Sequence, residues 1–259
     1  MSFPSSVKTA ASPLLVNDDH HQHRVDLAAA FRWAVRYDLH EAVANHFSLA
    51  VNDDGTQFLI NRNQQHFSRI RASDLLLLDA NDPESMTGPD APDPTAWGLH
   101  GAIHRHCPHA RCVMHVHSRY ATVLASLQES MLPAIDQNSA MFWGRQVIDE
   151  HYGGLAFEEE GERCAGLLSD PQKTVMIMGN HGILVVGSTV AEAFNRLFYF
   201  ERAACNYVLA LQTGKALRVL PDAIAEKTAR EIEEYPDQSQ RHLEELKAIL
   251  DAEGSDWRS

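Results

Sequence analysis

Apolar and polar residues alternate along the chain with the two periods of regular secondary structure. Across residues 25–39, apolar side chains follow the 3.6-residue spacing of an amphipathic helix. Segments 45–51 and 57–60 have strand-like composition and flank a turn at 52–55, which predicts a β-hairpin. The leucines at 75–78 form a continuous apolar run, typical of a buried strand.

Capping residues mark the starts of further helices. Asp93 and Pro94 combine an N-cap carboxylate with proline at the first helical position, and Thr189 with Glu192 forms a capping box. Ser118 is placed to cap a short helix. The pattern predicts helices at 94–106, 120–127, 139–149, 158–168 and 190–211, a strand at 110–118, a hairpin at 174–187, and two charged helices near the end, with Pro221 and Pro236 as breakers.

The length of 259 residues fits one α/β domain. We expect residues 1–24 to form a flexible N-terminal tail and residues 25–259 to form a single domain that includes the last helices. A hydrophobic content of 44% supplies a core without cross-links. Four cysteines are too few for a disulfide scaffold, which favours reduced thiols and a cytoplasmic location.

The charge balance narrows the range of partners. A formal net charge of −13 disfavours nucleic acids and anionic membranes as partners. No apolar run approaches the roughly 20 residues that a membrane span needs. The chain has 15 histidines, which lowers the weight of any single histidine as a functional signal.

Three histidines nevertheless form a pattern that predicts a metal site. His115 and His117 are two residues apart on a predicted strand, so their side chains point to the same face. His181 lies on a tight turn between two apolar runs. Three neutral imidazoles with an open coordination position suit a catalytic divalent cation. Zn²⁺ is expected from geometry, and Fe²⁺, Mn²⁺ and Co²⁺ stay open.

Other polar residues have two interpretations each. His100 is expected either to support a metal ligand or to form hydrogen bonds beneath the sheet, whereas His104 is expected to be solvated. Asn45 is expected to contact a substrate oxygen, with hydrogen bonding at the end of the strand as the alternative. Glu201 is expected to be a buried partner of an arginine, with support of a metal ligand as the alternative.

Several segments together resemble the class II aldolase/adducin N-terminal family. The similarity extends over roughly residues 25–215, in the order and spacing of the family. The segments that carry it are Asn45-His46-Phe47-Ser48, Ala72-Ser73-Asp74-Leu75, His100, His115-Val116-His117-Ser118, Gly179-Asn180-His181-Gly182, Val190-Ala191-Glu192-Ala193 and Glu201. The resemblance implies a three-layer α/β/α sandwich with a central mixed, mostly antiparallel sheet. It also implies a metal bound by His115, His117 and His181, and a homotetramer with active sites between subunits.

The chain departs from the sugar-phosphate aldolases of this family at their reactive groups. Their acid/base glutamate matches Ala96, whose methyl group cannot transfer a proton. Their phosphate-binding loop matches residues 62–64, which lack the glycine that lets backbone approach an anion. A tyrosine supplied by a neighbouring subunit matches Gln137. Asn45 and Thr95 remain as possible substrate contacts, and Asp136, Gln137, His151 and Tyr152 are weak candidates to replace the missing base.

The preferred hypothesis is a metal-dependent, lyase-like enzyme for a small oxygenated carbonyl compound that is not a sugar phosphate. The metal would stabilise an enolate formed by aldol cleavage or by decarboxylation. Alanine at position 96 favours decarboxylation, or an Fe²⁺-dependent oxygenase reaction, over aldol cleavage. The alternatives are a non-catalytic, adducin-like interaction module and a metal-dependent ligand sensor.

Overall fold

The computed structural model describes residues 20–86, 91–151, 153–154 and 158–259. The first helix, α1, spans His21–Arg36 and therefore begins before the boundary predicted at residue 25. Residues 21–24 belong to this helix and not to a tail. The rest of the predicted tail, residues 1–19, lies outside the described residues.

A seven-stranded mixed sheet forms the centre of the described fold. The strands are β1 His46–Ala50, β2 Gln57–Ile60, β3 Leu76–Asp79, β4 Cys112–Val116, β5 Gln146–Asp149, β6 Val175–Met178 and β7 Gly182–Gly187. Their order is β3-β2-β1-β4-β7-β6-β5. The pairing of β5 with β6 is parallel and the other pairings are antiparallel. The prediction of a mixed, mostly antiparallel sheet is confirmed.

Helices cover both faces of the sheet, which confirms the predicted α/β layers. The remaining helices are α2 Pro94–His106, α3 Arg119–Ala125, α4 Gln137–Ala140, α5 Glu158–Leu167, α6 Val190–Gln212, α7 Asp222–Glu233 and α8 Gln238–Ala252. Helices α1, α3, α6 and α8 share a core with one face. Helices α2 and α5 pack against the other face. Among the described residues, no helix is long and apolar enough to cross a membrane.

The alternation of strand side chains sends the histidines to the face beneath α2 and α5. In β1, Phe47 and Leu49 enter the core with α1 and α6, so His46 and Ser48 point the other way. In β4, Met114 faces the first core, and His115 points opposite. Because β1 and β4 are antiparallel neighbours, His46 lies directly across from His115.

Two predicted elements are wrong, and both errors arise from long-range packing. The helix predicted at 139–149 ends at Ala140, and Gly144 (φ +70°) breaks the chain before β5. The β-branched residues of β5 then pair with β6, which a local pattern does not show. The four-leucine run forms an edge strand, not a buried one, because β3 pairs with β2 alone and Leu77 is 45% exposed.

Candidate metal centre

Three imidazoles meet at one end of the sheet. His115 lies in β4 and His117 directly beyond it, while His181 occupies the turn between β6 and β7. Because β7 pairs with β4, this turn lies beside the end of β4. One ligand nitrogen from each ring lies within 4.8 Å of the other two. The structure therefore brings together the three residues predicted from the sequence as metal ligands.

The hydrogen bonds of two rings show which nitrogens are free for a metal. Nδ1 of His115 lies 3.0 Å from the carbonyl oxygen of Ile183, which only accepts, so Nδ1 carries the proton. Nδ1 of His117 lies 2.6 Å from the Glu41 carboxylate and donates likewise. In the neutral form of each ring, which is the form that binds metal, Nε2 is therefore a bare acceptor. Orientation of a ligand imidazole by a carboxylate or carbonyl is common in metalloproteins.

The two bare nitrogens face each other across a short gap. Nε2 of His115 and Nε2 of His117 are 3.0 Å apart. Two neutral acceptors cannot form a hydrogen bond with each other. Metal–nitrogen bonds of about 2.1 Å at tetrahedral angles place two ligand nitrogens about 3.4 Å apart, close to this separation. The residues present therefore fit a shared divalent cation.

Burial keeps two of the three rings, His115 and His181, in the neutral form that binds metal. Loss of solvation, together with the neighbouring His117, lowers the pKa of His181 to about 4. Loss of solvation also holds the pKa of His115 well below its usual range. Neutral imidazole is the ligand form, so these two rings need not release a proton when a cation binds at neutral pH.

A tight turn places His181 against the end of β4. Asn180 adopts a left-handed conformation (φ +58°), and its backbone N–H donates to the carbonyl of Ala125 in α3. A Cβ on Gly182 would lie 2.5 Å from the carbonyl oxygen of Val116 and 2.8 Å from the ring of His117. Glycine at this position therefore lets β7 approach closely enough to bring the third imidazole to the other two.

Asn45 supports the trio indirectly, through Glu41. Its Oδ1 accepts a 2.6 Å hydrogen bond from the backbone N–H of Glu41, whose carboxylate in turn holds His117. Asn45 is 2% exposed, and the adjacent cavity is lined by its neighbours Ala44 and His46. The structure thus places Asn45 behind the loop that orients a metal ligand, and a direct substrate contact stays a prediction.

A cavity of about 470 Å³ opens beside the three imidazoles. The ends of several elements lie around it, because antiparallel pairing puts the start of β1, the end of β4 and the β6–β7 turn at one edge of the sheet. Its lining residues are Val43, Ala44, His46, Asn63, Gln64, Asp93, Pro94, Thr95, Leu99, His115, His117, Gly154, Glu160 and His181. This volume suits a small-molecule ligand.

Glu160 supplies a buried carboxylate to this cavity. Loss of solvation raises its pKa, and its Oε1 lies 3.9 Å from Arg163, too far for a hydrogen bond. Arg163 is instead engaged by Asp149 through two hydrogen bonds of 3.0 and 2.8 Å. The next residue, Gly161, brings α5 against α2, because a Cβ there would collide with the carbonyl of Gly98.

The sequence interpretation missed Glu160 because it lies in the acidic run that begins α5. Three successive glutamates resemble a solvated helix face. In the structure Glu159 is exposed, whereas Glu160 is buried and 5% exposed. The glycine that follows it was the available signal, since glycine inside a helix often marks a close approach to another element.

Comparisons with known proteins agree with this architecture. The family model described as Class II Aldolase and Adducin N-terminal domain matches residues 25–208. The chain belongs to this family. Within the class II aldolase and adducin family, the protein named "Putative aldolase class 2 protein" of Caulobacter vibrioides is 32% identical over 219 residues. The alignment covers 84% of each chain.

Further relatives in the aldolase II family span most of the chain. The crystal structure of an aldolase II superfamily protein from Pseudomonas syringae superposes with a TM-score of 0.81 at 30% identity. The match covers 95% of this chain and 98% of that one. Decarboxylase NovR of Streptomyces niveus is 24% identical over 222 residues, which are 84% of this chain and 81% of that protein.

The positions where this aldolase-family chain departs from sugar-phosphate aldolases differ in whether they line the cavity. Ala96 is 1% exposed and packs with the apolar side chains of β2 and β3, outside the lining of the cavity. Thr95 lines the cavity, and its hydroxyl donates to Asp93, the N-cap of α2. Asn63 and Gln64 also line it and offer amides where a phosphate loop is expected.

The weak catalytic candidates that the structure describes, Asp136, Gln137 and His151, do not line the cavity beside the trio. Gln137 begins α4 and lines a separate cavity of about 500 Å³, together with Tyr199 and Tyr235. His151 follows β5 and is exposed. Tyr152 lies outside the described residues. Asp136 caps α4 through Ser139. Catalytic roles for these residues stay predictions.

The prediction that His104 is solvated is wrong. His104 is 3% exposed, and its Nε2 lies 2.7 Å from the hydroxyl of Ser48. The helical spacing that placed it beside His100 also points both rings at β1, which covers them. His100 is fully buried and contacts His46 beneath the sheet, so the hydrogen-bonding interpretation of His100 is confirmed.

Glu201 caps a helix and has no arginine partner among the described residues. From α6, its carboxylate accepts hydrogen bonds from the hydroxyl of Ser118 at 2.7 Å and from the N–H groups of Tyr120 and Ala121 at 2.8 and 2.9 Å. The two N–H groups are backbone donors that have no partner within α3, because they lie in its first turn. The predicted capping by the Ser118 side chain is therefore wrong, since its hydroxyl donates to Glu201 instead.

Substituting Glu201 with alanine should lower the free energy of unfolding by about 3 kcal/mol, because three donors, two of them in buried hydrogen bonds, lose their charged acceptor. Thermal or urea unfolding followed by circular dichroism measures this effect. Glu245→Ala, at an exposed position on α8, is the matched control and should change stability by less than about 0.5 kcal/mol. Equal stabilities of the two variants would contradict the capping role.

Proposed function

We propose that the chain is a metal-dependent lyase that breaks a carbon–carbon bond in a small oxygenated carbonyl compound. The observation that carries the proposal is the pair of bare imidazole nitrogens, 3.0 Å apart, in the same cavity as the buried carboxylate of Glu160. His115, His117 and His181 would hold a divalent cation, with Zn²⁺ first and Fe²⁺, Mn²⁺ and Co²⁺ as alternatives. Such a cation supplies Lewis acidity, which stabilises an enolate oxygen.

Glu160 would move the proton that this chemistry requires. In aldol cleavage, its carboxylate would accept the proton of the substrate hydroxyl as the carbon–carbon bond breaks. In decarboxylation, CO₂ leaves without that step, and the protonated carboxyl would deliver its proton to the enolate carbon. The raised pKa of Glu160 brings its protonated form closer to neutral pH. Glu160 thus takes the place of the carboxylate that Ala96 lacks.

The lining of the cavity favours a substrate without a phosphate. Among the described residues that line it, none is lysine or arginine, whereas Asp93 and Glu160 are acidic. Phosphate groups are usually held by arginine, lysine or a glycine-rich loop. Amides at Asn63 and Gln64 suit hydroxyl and carbonyl groups instead. The likeness to a protein named Decarboxylase NovR supports decarboxylation as the reaction.

We also propose a cytoplasmic homotetramer, as the family resemblance implies. Apolar side chains on and after α3 support association between subunits. Val123, Leu127 and Met131 are 42%, 38% and 48% exposed within nine residues of sequence. Large exposed apolar residues so close together are typical of contact surfaces.

Metal analysis together with a substrate panel tests the proposed function. Protein produced with Zn²⁺, Fe²⁺, Mn²⁺ or Co²⁺ in the medium should retain about one divalent ion per chain. It should release CO₂ or an aldehyde from a member of a panel of β-keto acids and hydroxy-keto acids. A chelator should abolish turnover, and the cation should restore it. Metal-free, inert protein would favour an adducin-like module, and tight ligand binding without turnover would favour a sensor.

A further inference from the structure

Four buried side chains form a hydrogen-bonded chain that leads from the interior to the cavity. Nδ1 of His104 lies 3.0 Å from the carbonyl oxygen of Ala110, and its Nε2 lies 2.7 Å from the hydroxyl of Ser48. That hydroxyl lies 2.5 Å from Nδ1 of His100. Nε2 of His100 lies 2.7 Å from Nδ1 of His46, which lines the cavity.

The carbonyl at the inner end fixes the direction of every hydrogen bond in this chain. Because the Ala110 oxygen only accepts, Nδ1 of His104 carries a proton and its Nε2 is bare. The Ser48 hydroxyl must then donate to His104 and accept from Nδ1 of His100. Nε2 of His100 is consequently bare as well.

The same argument gives the tautomer of His46, the ring at the cavity end of the hydrogen-bonded chain. The bare Nε2 of His100 accepts a hydrogen bond from Nδ1 of His46, so His46 carries its proton on Nδ1. Its Nε2 is left without a proton, and this is the ring nitrogen available to the cavity. Reversing the chain would set a bare nitrogen of His104 against a carbonyl oxygen, which leaves two buried acceptors unsatisfied.

Burial supports this single arrangement. All four side chains are at most 6% exposed. Loss of solvation lowers the pKa of His104 to about 4 and holds the pKa of His100 well below its usual range. A second proton on either of these rings, which would break the sequence of donors and acceptors, is therefore disfavoured at neutral pH.

We propose that Nε2 of His46 is a fixed hydrogen-bond acceptor that binds a hydroxyl group of the substrate beside the metal trio. The ring centroid of His46 lies 5.0 Å from that of His115. His46 is not one of the three residues whose nitrogens lie close enough together to share a cation. His46 is therefore placed to contact the substrate and not the cation. A carboxylate or ether oxygen at this point would face a lone pair, so the site selects a donor. This role rests on the proposed function, whereas the tautomer does not.

The tautomer is measured directly by long-range ¹H–¹⁵N correlation spectra of the full chain labelled with ¹⁵N-histidine. We expect His46 to show a protonated Nδ1 and a bare Nε2, with its signals assigned by their loss in His46→Asn. A proton on Nε2 of His46 would overturn the proposal. Ser48→Ala should remove the constraint and give His46 mixed tautomers, whereas Ser68→Ala, at an exposed serine that pairs with His66, should leave His46 unchanged.

The ligand role is tested with two probes, glycolate and methoxyacetate, which differ in a hydroxyl donor. In His46→Asn, the side-chain amide takes the place of Nδ1 and can still donate to His100, while the cavity acceptor is removed. Calorimetry on Zn²⁺-loaded protein should show glycolate affinity falling about fivefold to tenfold, with methoxyacetate unchanged. His46→Gln, whose amide oxygen replaces Nε2, should recover part of the preference.

The outcomes separate the two proposals. Equal losses for glycolate and methoxyacetate in His46→Asn would overturn the hydroxyl-binding role while leaving the proposed metal chemistry intact. If Zn²⁺ binds but neither probe binds the wild-type protein, the hydroxyl role is overturned. Failure of the wild-type protein to bind any divalent cation would instead refute the proposed function, and the measured tautomer of His46 would still stand.

Discussion

Substituting Glu160 with glutamine should lower kcat for carbon–carbon cleavage about a thousandfold, the usual scale of a lost proton-transfer group. The amide keeps the size of the side chain and cannot exchange a proton. Metal content should stay at the wild-type level, because the three imidazoles are untouched. Steady-state kinetics and metal analysis on the same samples measure both quantities. Glu162→Gln, on the same helix but exposed, is the matched control.

The pH dependence of kcat shows which form of Glu160 acts. Its pKa is raised by loss of solvation, so its titration lies above the ordinary range of a glutamate. If the carboxylate accepts a proton in aldol cleavage, kcat increases as pH rises through this pKa. If the protonated carboxyl donates in decarboxylation, kcat decreases over the same interval. This change of kcat with pH should be absent in Glu160→Gln. A Glu160→Gln variant with wild-type kcat would show that Glu160 only forms the cavity wall.

Removing His181 should abolish tight metal binding. His181→Ala leaves two imidazoles, and we expect affinity for Zn²⁺ to fall by at least about a thousandfold. That loss exceeds the roughly 10- to 100-fold effect of an outer partner such as Glu41→Gln. Glu41→Gln should weaken binding by this smaller factor because the amide holds Nδ1 of His117 less strongly than the carboxylate does. Competition with a chromophoric chelator measures both affinities.

His106→Ala provides the control for this series, since His106 is an exposed histidine that pairs with Glu162. Its Zn²⁺ affinity should equal that of the wild type. An unchanged affinity in His181→Ala would mean that the cation is held elsewhere, and the proposed metal centre would then be wrong. An unchanged affinity in Glu41→Gln would show only that the His117 ring is already fixed by packing.

The metal trio could be predicted because its members follow local rules. The i, i+2 spacing of His115 and His117 places both rings on one face, and a turn flanked by apolar runs marks His181. The sheet class followed from the family resemblance. The positions of the other site residues depend on the order of the strands. That order depends on which distant segments of the chain pair.

His46 shows what local patterns omit. It faces His115 only because β1 pairs with β4 in an antiparallel register across nearly 70 residues of chain. The burial of His104 depends on the same pairing, since Ser48 of β1 provides its partner. The position of the Glu160 carboxylate at the cavity depends on the packing of α5 against α2. None of these contacts leaves a periodic signal near the residue concerned.

The close approach of α5 to α2 at Gly161 and Gly98 lies at the wall of the cavity. Glu160 is the immediate neighbour of Gly161, and Leu99 is the neighbour of Gly98, so both cavity walls are tied to this backbone contact. We expect any side chain at position 161 to push the helices apart and to draw the carboxylate of Glu160 away from the imidazoles. The width of the cavity would then depend on a residue that contributes no side chain at all.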